Sequence, residues 1–194
     1  MSLNFYASID SFKNDNKDNT AITLKTDGAS LDHQLDTLRT LKNDQVVHIT
    51  FESAQIHYKA NVDVETRKPS MVYERDANGI WQASKVEDTT LDLDGVENTV
   101  PVDFEVTADI VDDFLLSQKY VYDQDGDFKP LPILNKMAEG YDFDEIAKEA
   151  DMGVTEMLDR LNKARQYFAP YAVAWMQERS DSADSSDNEY RNGN

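Results

Sequence analysis

Residues 145–161 read EIAKEADMGVTEMLDRL, and their spacing decides the architecture of the C-terminal part of the chain. Ile146, Ala147, Ala150, Met152, Met157 and Leu161 suit the buried positions of two helices crossing steeply at a short turn. The small Ala147 allows the close approach. Just upstream, Asp142 with Glu145 makes a capping box, and Tyr141 can staple onto Ile146. Gly140 can end the preceding helix, because only glycine takes a left-handed closing residue at little cost. The pattern therefore predicts helices over 131–139, over 143–150, and from Val154 to about Gln177.

Upstream of this region the period changes to two. Leu3, Phe5, Ala7 and Ile9 alternate with polar residues, and Ile22 and Leu24 do so again beyond a polar stretch from Lys13 to Thr20. This predicts a hairpin of half-buried strands. Leu31, Leu35, Leu38 and Leu41 then follow helical spacing after Ser30, a good N-cap, with Arg39 and Lys42 in the last turn. Val47, Ile49 and Phe51 begin a third strand. The apolar parity switches at Ser53-Ala54 to Ala54, Ile56 and Tyr58, which predicts a bulge. Met71 to Ala83 reads as a second hairpin around Asn78-Gly79, a type I′ turn signal, with Tyr73 and Trp81 near one another across it. Val100, Val102, Phe104 and Val106 make a strand whose Pro101 places it at an edge. Thr107 can cap a helix holding Ile110, Val111, Phe114 and Leu115.

The chain is thus α+β. A β-rich N-terminal domain (1–122) has a β-β-α-β start followed by a hairpin and an edge strand. Gly126 and two prolines mark a linker at 123–132. A small helical domain (133–179) and a disordered polar tail (180–194) follow, the tail having almost no apolar residue.

Charge sets limits on partners. There are 38 acidic and 19 basic residues among 194, a formal net charge of −19. Between Val86 and Lys129 the sequence has 13 acids and one base, Lys119. Such a surface repels phosphates and attracts basic partners. The chain has no cysteine, which removes disulfides, thiolate catalysis and Cys-based zinc sites. The N-terminus has neither a basic n-region nor an apolar h-region, and no apolar run approaches the roughly 20 residues of a bilayer span. The expectation is a cytoplasmic protein without a membrane role.

The helices at 143–161 resemble a helix-turn-helix. Its second helix would present Arg160, Lys163 and Arg165 to DNA or to a partner. Two departures weaken the DNA reading: the turn position often held by glycine is Asp151, and Glu156 and Asp159 stand beside the cations. A helical protein-interaction or dimerisation domain fits the same pattern, so a homo-oligomer is one expectation. Tyr73 and Trp81, with Tyr58, lie among Lys59, Arg67, Lys68, Arg75 and Lys85, an interleaving that can stack and neutralise single-stranded nucleic acid. Four acids in that stretch favour ordinary hairpin packing instead.

The acidic run also has several readings. Asp103, Glu105, Asp109, Asp112 and Asp113 could be a solvated face that maintains solubility, or a surface that mimics nucleic acid toward a basic host enzyme. Asp123-Gln124-Asp125-Gly126-Asp127 looks like part of a calcium loop, but with Gly126 at loop position six the twelfth position is Pro132, not the required glutamate. No metal or cofactor is expected. His33, His48 and His57 do not form an evident ligand set. The sequence contains no HExxH, GxSxG, Walker or GxGxxG motif, and nothing selects a carboxylate pair as general acid and base. A non-enzyme is expected.

The segment ITLKTDGASLDHQLDTLRTLKNDQVVHITFE, from Ile22 to Glu52, resembles small early-region proteins of phages from low-GC Gram-positive hosts, where a strand, a short leucine helix and a strand come in this order. The resemblance spans about the first 60 residues and carries over no functional residue. It implies a setting near replication and recombination genes. The resulting expectation is an accessory protein of phage DNA metabolism that binds DNA or a DNA-processing protein. The rival is an acidic inhibitor of a host nucleic-acid enzyme, and a third reading is a structural or assembly factor of the particle.

Overall fold

The computed structural model describes residues 7–14, 19–26, 35–41, 49, 51, 53–86 and 96–191. The chain is α+β, with antiparallel strands toward the N-terminus and helices toward the C-terminus. It divides into two compact units, Met1–Glu52 and Ser53–Asn194.

In the first unit, β1 (Ser8–Asn14) pairs antiparallel with β2 (Thr20–Lys25), with an irregularity between Ile9 and Ser11. Asp10 and Lys25 form an ion pair. Helix α1 (Leu35–Leu41) carries Arg39 in its last turn, where it binds Asp36 at 3.0 Å. The predicted cap Ser30, with Leu31, His33, Val47 and His48, lies outside the described residues. Ile49 and Phe51 are exposed and belong to no strand.

The third strand of the described chain, β3 (Gln55–Asp63), starts after the expected parity switch. It pairs along its whole length with β6 (Thr99–Thr107). Ile56↔Val106, Tyr58↔Phe104 and Val62↔Val100 share one face, and the Tyr58 and Phe104 rings stack with centroids 5.5 Å apart. Lys59↔Asp103 and His57↔Glu105 fall on the other face. Pro101 opposes Asn61 on this edge strand, where a missing ladder donor is tolerated.

Strands β4 (Met71–Arg75) and β5 (Ile80–Lys85) form the second hairpin. Its turn is not the expected two-residue type I′. Gly79 N–H donates to the Asp76 carbonyl and Asp76 N–H to the Ile80 carbonyl, each at 2.9 Å. Of the turn residues only Gly79 has positive φ, at 76°. This is a three-residue loop closed by a glycine bulge. The Asp76 carboxylate accepts from the Ile80 and Asn78 N–H groups at 2.8 Å, and these bonds hold its pKa below the usual carboxylate range. A two-residue strand, β7 (Lys119–Tyr120), adds parallel to β5.

Helix α2 (Ala108–Ser117) begins after Thr107, which sits at the N-cap without a side-chain capping bond. Helix α3 (Pro130–Ala138) opens with proline at its first position, which suits a position whose N–H has no helical partner. Gly140 closes it with φ of 84°. Helix α4 (Phe143–Glu149) starts after Asp142, which also makes no side-chain capping bond. Tyr141, expected to staple onto Ile146, is 51% exposed, with the Lys136 ammonium over its ring. Helix α5 (Val154–Arg191) spans 38 residues. The tail expected to be disordered from 180 continues this helix to Arg191, in keeping with the low cost of propagating a helix already nucleated by its packed part.

The break expected at 123–132 falls inside the second unit. Phe128 and Pro130 are buried there. One core joins Ile56, Trp81 and Val106 of the strands to Val111, Phe114, Leu115, Ile146, Met157, Leu161 and Phe168 of the helices. Phe114 is 0% exposed and lies within about 6 Å of the Trp81, Tyr120, Phe168, Tyr171 and Trp175 rings.

Candidate functional site

The turn between α4 and α5 accommodates the departure noted in its sequence. Asp151 takes the left-handed conformation, φ 53°, at the position such turns often give to glycine. Met152 N–H then donates to the Ala147 carbonyl at 3.0 Å and closes α4. Ile146, Ala147, Met157 and Leu161 are buried, and Ala150 and Met152 half-buried.

The cations of α5 are not the exposed row that DNA contact requires. Arg165 is 3% exposed. Its Nε and one Nη donate to the two Asp112 oxygens at 2.8 and 2.7 Å, and its other Nη to Asn162 Oδ1 at 3.1 Å. Arg160 forms ion pairs with Asp125 and Glu156 and stacks over Phe128 at 4.9 Å. The Arg160 hydrogen bond holds the Asp125 carboxyl below the usual range. Lys163 alone of the three expected cations is exposed, on a face shared with Glu156 and Asp159. The physical reason is position. Helix α5 packs across α2 and the strands, so the side on which Arg165 lies is core and requires a neutralising carboxylate.

The five acidic residues separate in the same way. Asp103 and Glu105 are exposed on the outer face of β6, and Asp109 and Asp113 are exposed one turn apart on α2. Asp112 turns inward to Arg165. Burial pushes its carboxyl up, against the opposing pull of the guanidinium. Glu87, Asp88, Asp92 and Asp94 lie outside the described residues.

Trp81 is 4% exposed, with Arg75 over its ring at 5.3 Å and its Nε1 donating to Gln118 at 3.3 Å. It is a core residue and cannot stack on a base. Tyr73, by contrast, lines an open groove of about 900 Å³ shared with Tyr58, Tyr122, Tyr167, Tyr171 and Lys163. The Tyr73 and Tyr171 rings meet at 4.6 Å, and the Tyr167 and Tyr171 hydroxyls lie 3.4 Å apart. Burial raises the pKa of Tyr58, Tyr73, Tyr122 and Tyr171. These four phenols therefore stay protonated near pH 7, apolar on their faces and able to donate at their tips. They are suited to binding and lack the poised pKa of an acid–base catalyst.

The groove exists because β3 and β4 diverge. β3 and the residues leading into β4 meet at the Val62–Pro69 bridge, where Ser70 N–H donates to the Asn61 carbonyl at 2.8 Å. Beyond this point β3 pairs only with β6, and β4 only with β5. Tyr122, Tyr167 and Tyr171 escaped the sequence reading. The signal was present in Tyr167 and Tyr171, one turn apart about the helix-interior Pro170.

Among the described residues, no group of three or more His, Asp or Glu side chains could hold a metal ion, and no helix is long and apolar enough to cross a membrane. The fold and groove define an acidic α+β protein with an open aromatic groove and a long helix whose Arg160 and Arg165 are paired with carboxylates of other segments. No protein-family model, curated protein or solved structure matches the chain.

Proposed function

We propose that this chain is a non-enzymatic accessory protein that docks a basic DNA-processing protein and does not grip DNA itself. The setting, phage DNA metabolism, follows from the resemblance of Ile22–Glu52. The observation that carries the reading is the disposition of charge. Arg160 and Arg165 are engaged with Asp125 and Asp112, whereas Asp103, Glu105, Asp109 and Asp113 are exposed. Neutralising phosphates needs a free basic row; a basic protein is attracted by the opposite arrangement. The same exposed carboxylates support a second reading, in which the partner is a host nucleic-acid enzyme and docking blocks its groove.

The test is capture of partners from host lysate by the purified protein, with and without nuclease. Capture should survive nuclease, weaken with salt, and be lost when Asp103, Glu105, Asp109 and Asp113 are changed to lysine with Asp112 left intact. Capture that disappears with nuclease, together with a low-salt shift of duplex or single-stranded DNA, would overturn it. Inhibition of the captured enzyme would distinguish blocking from assisting.

A further inference from the structure

The groove between β3 and β4 has the form of a sheet lacking one strand. We propose that an extended segment of a basic partner protein inserts there, hydrogen-bonding to β3 on one side and β4 on the other. This rests on the protein-docking reading above and names its mode and the partner's chemistry.

The backbone directions support this mode. The Asn61 carbonyl accepts from Ser70, on the side away from β6. Residues two apart on a strand direct their backbone groups to the same side, so those of His57 and Lys59 also point away from β6, into the gap. On β4, Asp76 N–H faces β5, so Val72 and Glu74 face β5 while Met71 and Tyr73 face the gap. None of these gap-facing groups of His57, Lys59, Met71 and Tyr73 has a backbone partner among the described residues. His57, Lys59, Met71 and Tyr73 all line the groove. Two facing rows of open donors and acceptors, joined at one end by the Val62–Pro69 bridge, are what an added strand completes.

The outer edge of β6 is different. It carries Pro101, Asp103 and Glu105, the proline and charges that discourage pairing. The gap has no proline on either strand, and Tyr167 and Tyr171 of α5 lie beneath it.

Charge selects the occupant. Ser53–Asn194 contains 30 acidic and 14 basic residues; of the cations at the groove, Lys59 and neighbouring Arg160 are paired with Asp103 and Asp125, and Lys163 is exposed at the rim within this acidic surround. A second copy of this chain would bring like charge and is disfavoured. A strand alternating apolar or aromatic residues with Lys or Arg fits. Its apolar side chains would cover the tyrosines, and its cations would lie on the outward face beside the exposed Glu74 of β4, where Lys59 is already paired with Asp103.

The test uses the full chain and three synthetic decapeptides. One alternates Lys with Val and Phe, one replaces Lys by Glu, and one is the Lys peptide N-methylated at every second amide. The Lys peptide should bind and slow hydrogen exchange at the His57, Lys59, Met71 and Tyr73 amides at least tenfold. The Glu peptide should bind at least tenfold more weakly. N-methylation, which removes the donors along one peptide edge and leaves the protein untouched, should also cost at least tenfold. Binding unaffected by N-methylation, or no protection of those four amides even at about 1 mM Lys peptide, would overturn the proposal. Nuclease-resistant capture that persists in a folded Lys59→Pro variant, which removes one gap-facing donor, would reject strand insertion while leaving protein docking standing. Failure of the unaltered chain to capture any protein would reject docking itself.

Discussion

At the residue scale, the Asp112–Arg165 pair shows how a charge can be read correctly by type and wrongly by role. Arginine on a helix following a tight turn suggests a phosphate contact. Here the guanidinium is held bidentate in the core, where an unpaired partner would be a buried charge. Asp112→Ala should cost about 3–5 kcal/mol, measured by urea unfolding. Joint replacement by Asp112→Leu and Arg165→Met should recover most of that loss, since a packed apolar pair avoids desolvation. Recovery of nothing would mean the pair does more than neutralise itself. Tyr120 gives a second prediction. Its hydroxyl is buried without a hydrogen-bond partner, and burial pushes its pKa up to about 12. An unfolded tyrosine ionises near pH 10, so the folded state retains a proton that the unfolded chain loses. The Tyr120 contribution to stability is intact below pH 10 and lost between about pH 10 and 12. Tyr120→Phe should raise stability by about 1 kcal/mol at pH 7 and flatten the alkaline decline. An unchanged slope in urea midpoints from pH 7 to 11 would contradict this.

At the scale of elements, α2 and α5 organise the second unit. Phe114 of α2 is the hub against which strand and helix aromatics close. Phe114→Ala should cost about 3–5 kcal/mol, the range for a large buried aromatic whose cavity cannot collapse, and near-ultraviolet circular dichroism should weaken with it. A cost below about 1 kcal/mol would mean the site repacks. Much of this level was legible in the sequence. The start of α2 and the limits of α3 and α4 fall within a residue or two of their predicted positions, because glycine, proline and the apolar period act locally. The inner face of β6 was equally plain from alternation. The turn at Asp76–Ile80 was not, since Asn-Gly suits a type I′ turn in isolation, while the Asp76 carboxylate here binds the Asn78 and Ile80 N–H groups and selects a longer loop.

At the scale of the whole molecule, the contacts divide the chain at Glu52–Ser53, not at 123–132. A fragment 53–194 should therefore unfold cooperatively, whereas a fragment 1–122 should not, because it leaves Val111, Phe114 and Leu115 without α5. Thermal melts of the two fragments decide this, and a cooperative 1–122 would restore the original boundary. What the sequence by itself determined is the α+β class, most element limits and the acidic character, since each depends on neighbours along the chain. Tertiary structure alone decided which cations are spent, which carboxylates stay exposed, and that Tyr58, Tyr73, Tyr122, Tyr167 and Tyr171 share one groove. Those outcomes depend on contacts between residues tens of positions apart, as with Asp112 and Arg165, and local propensity carries no information about which distant side chain will face another.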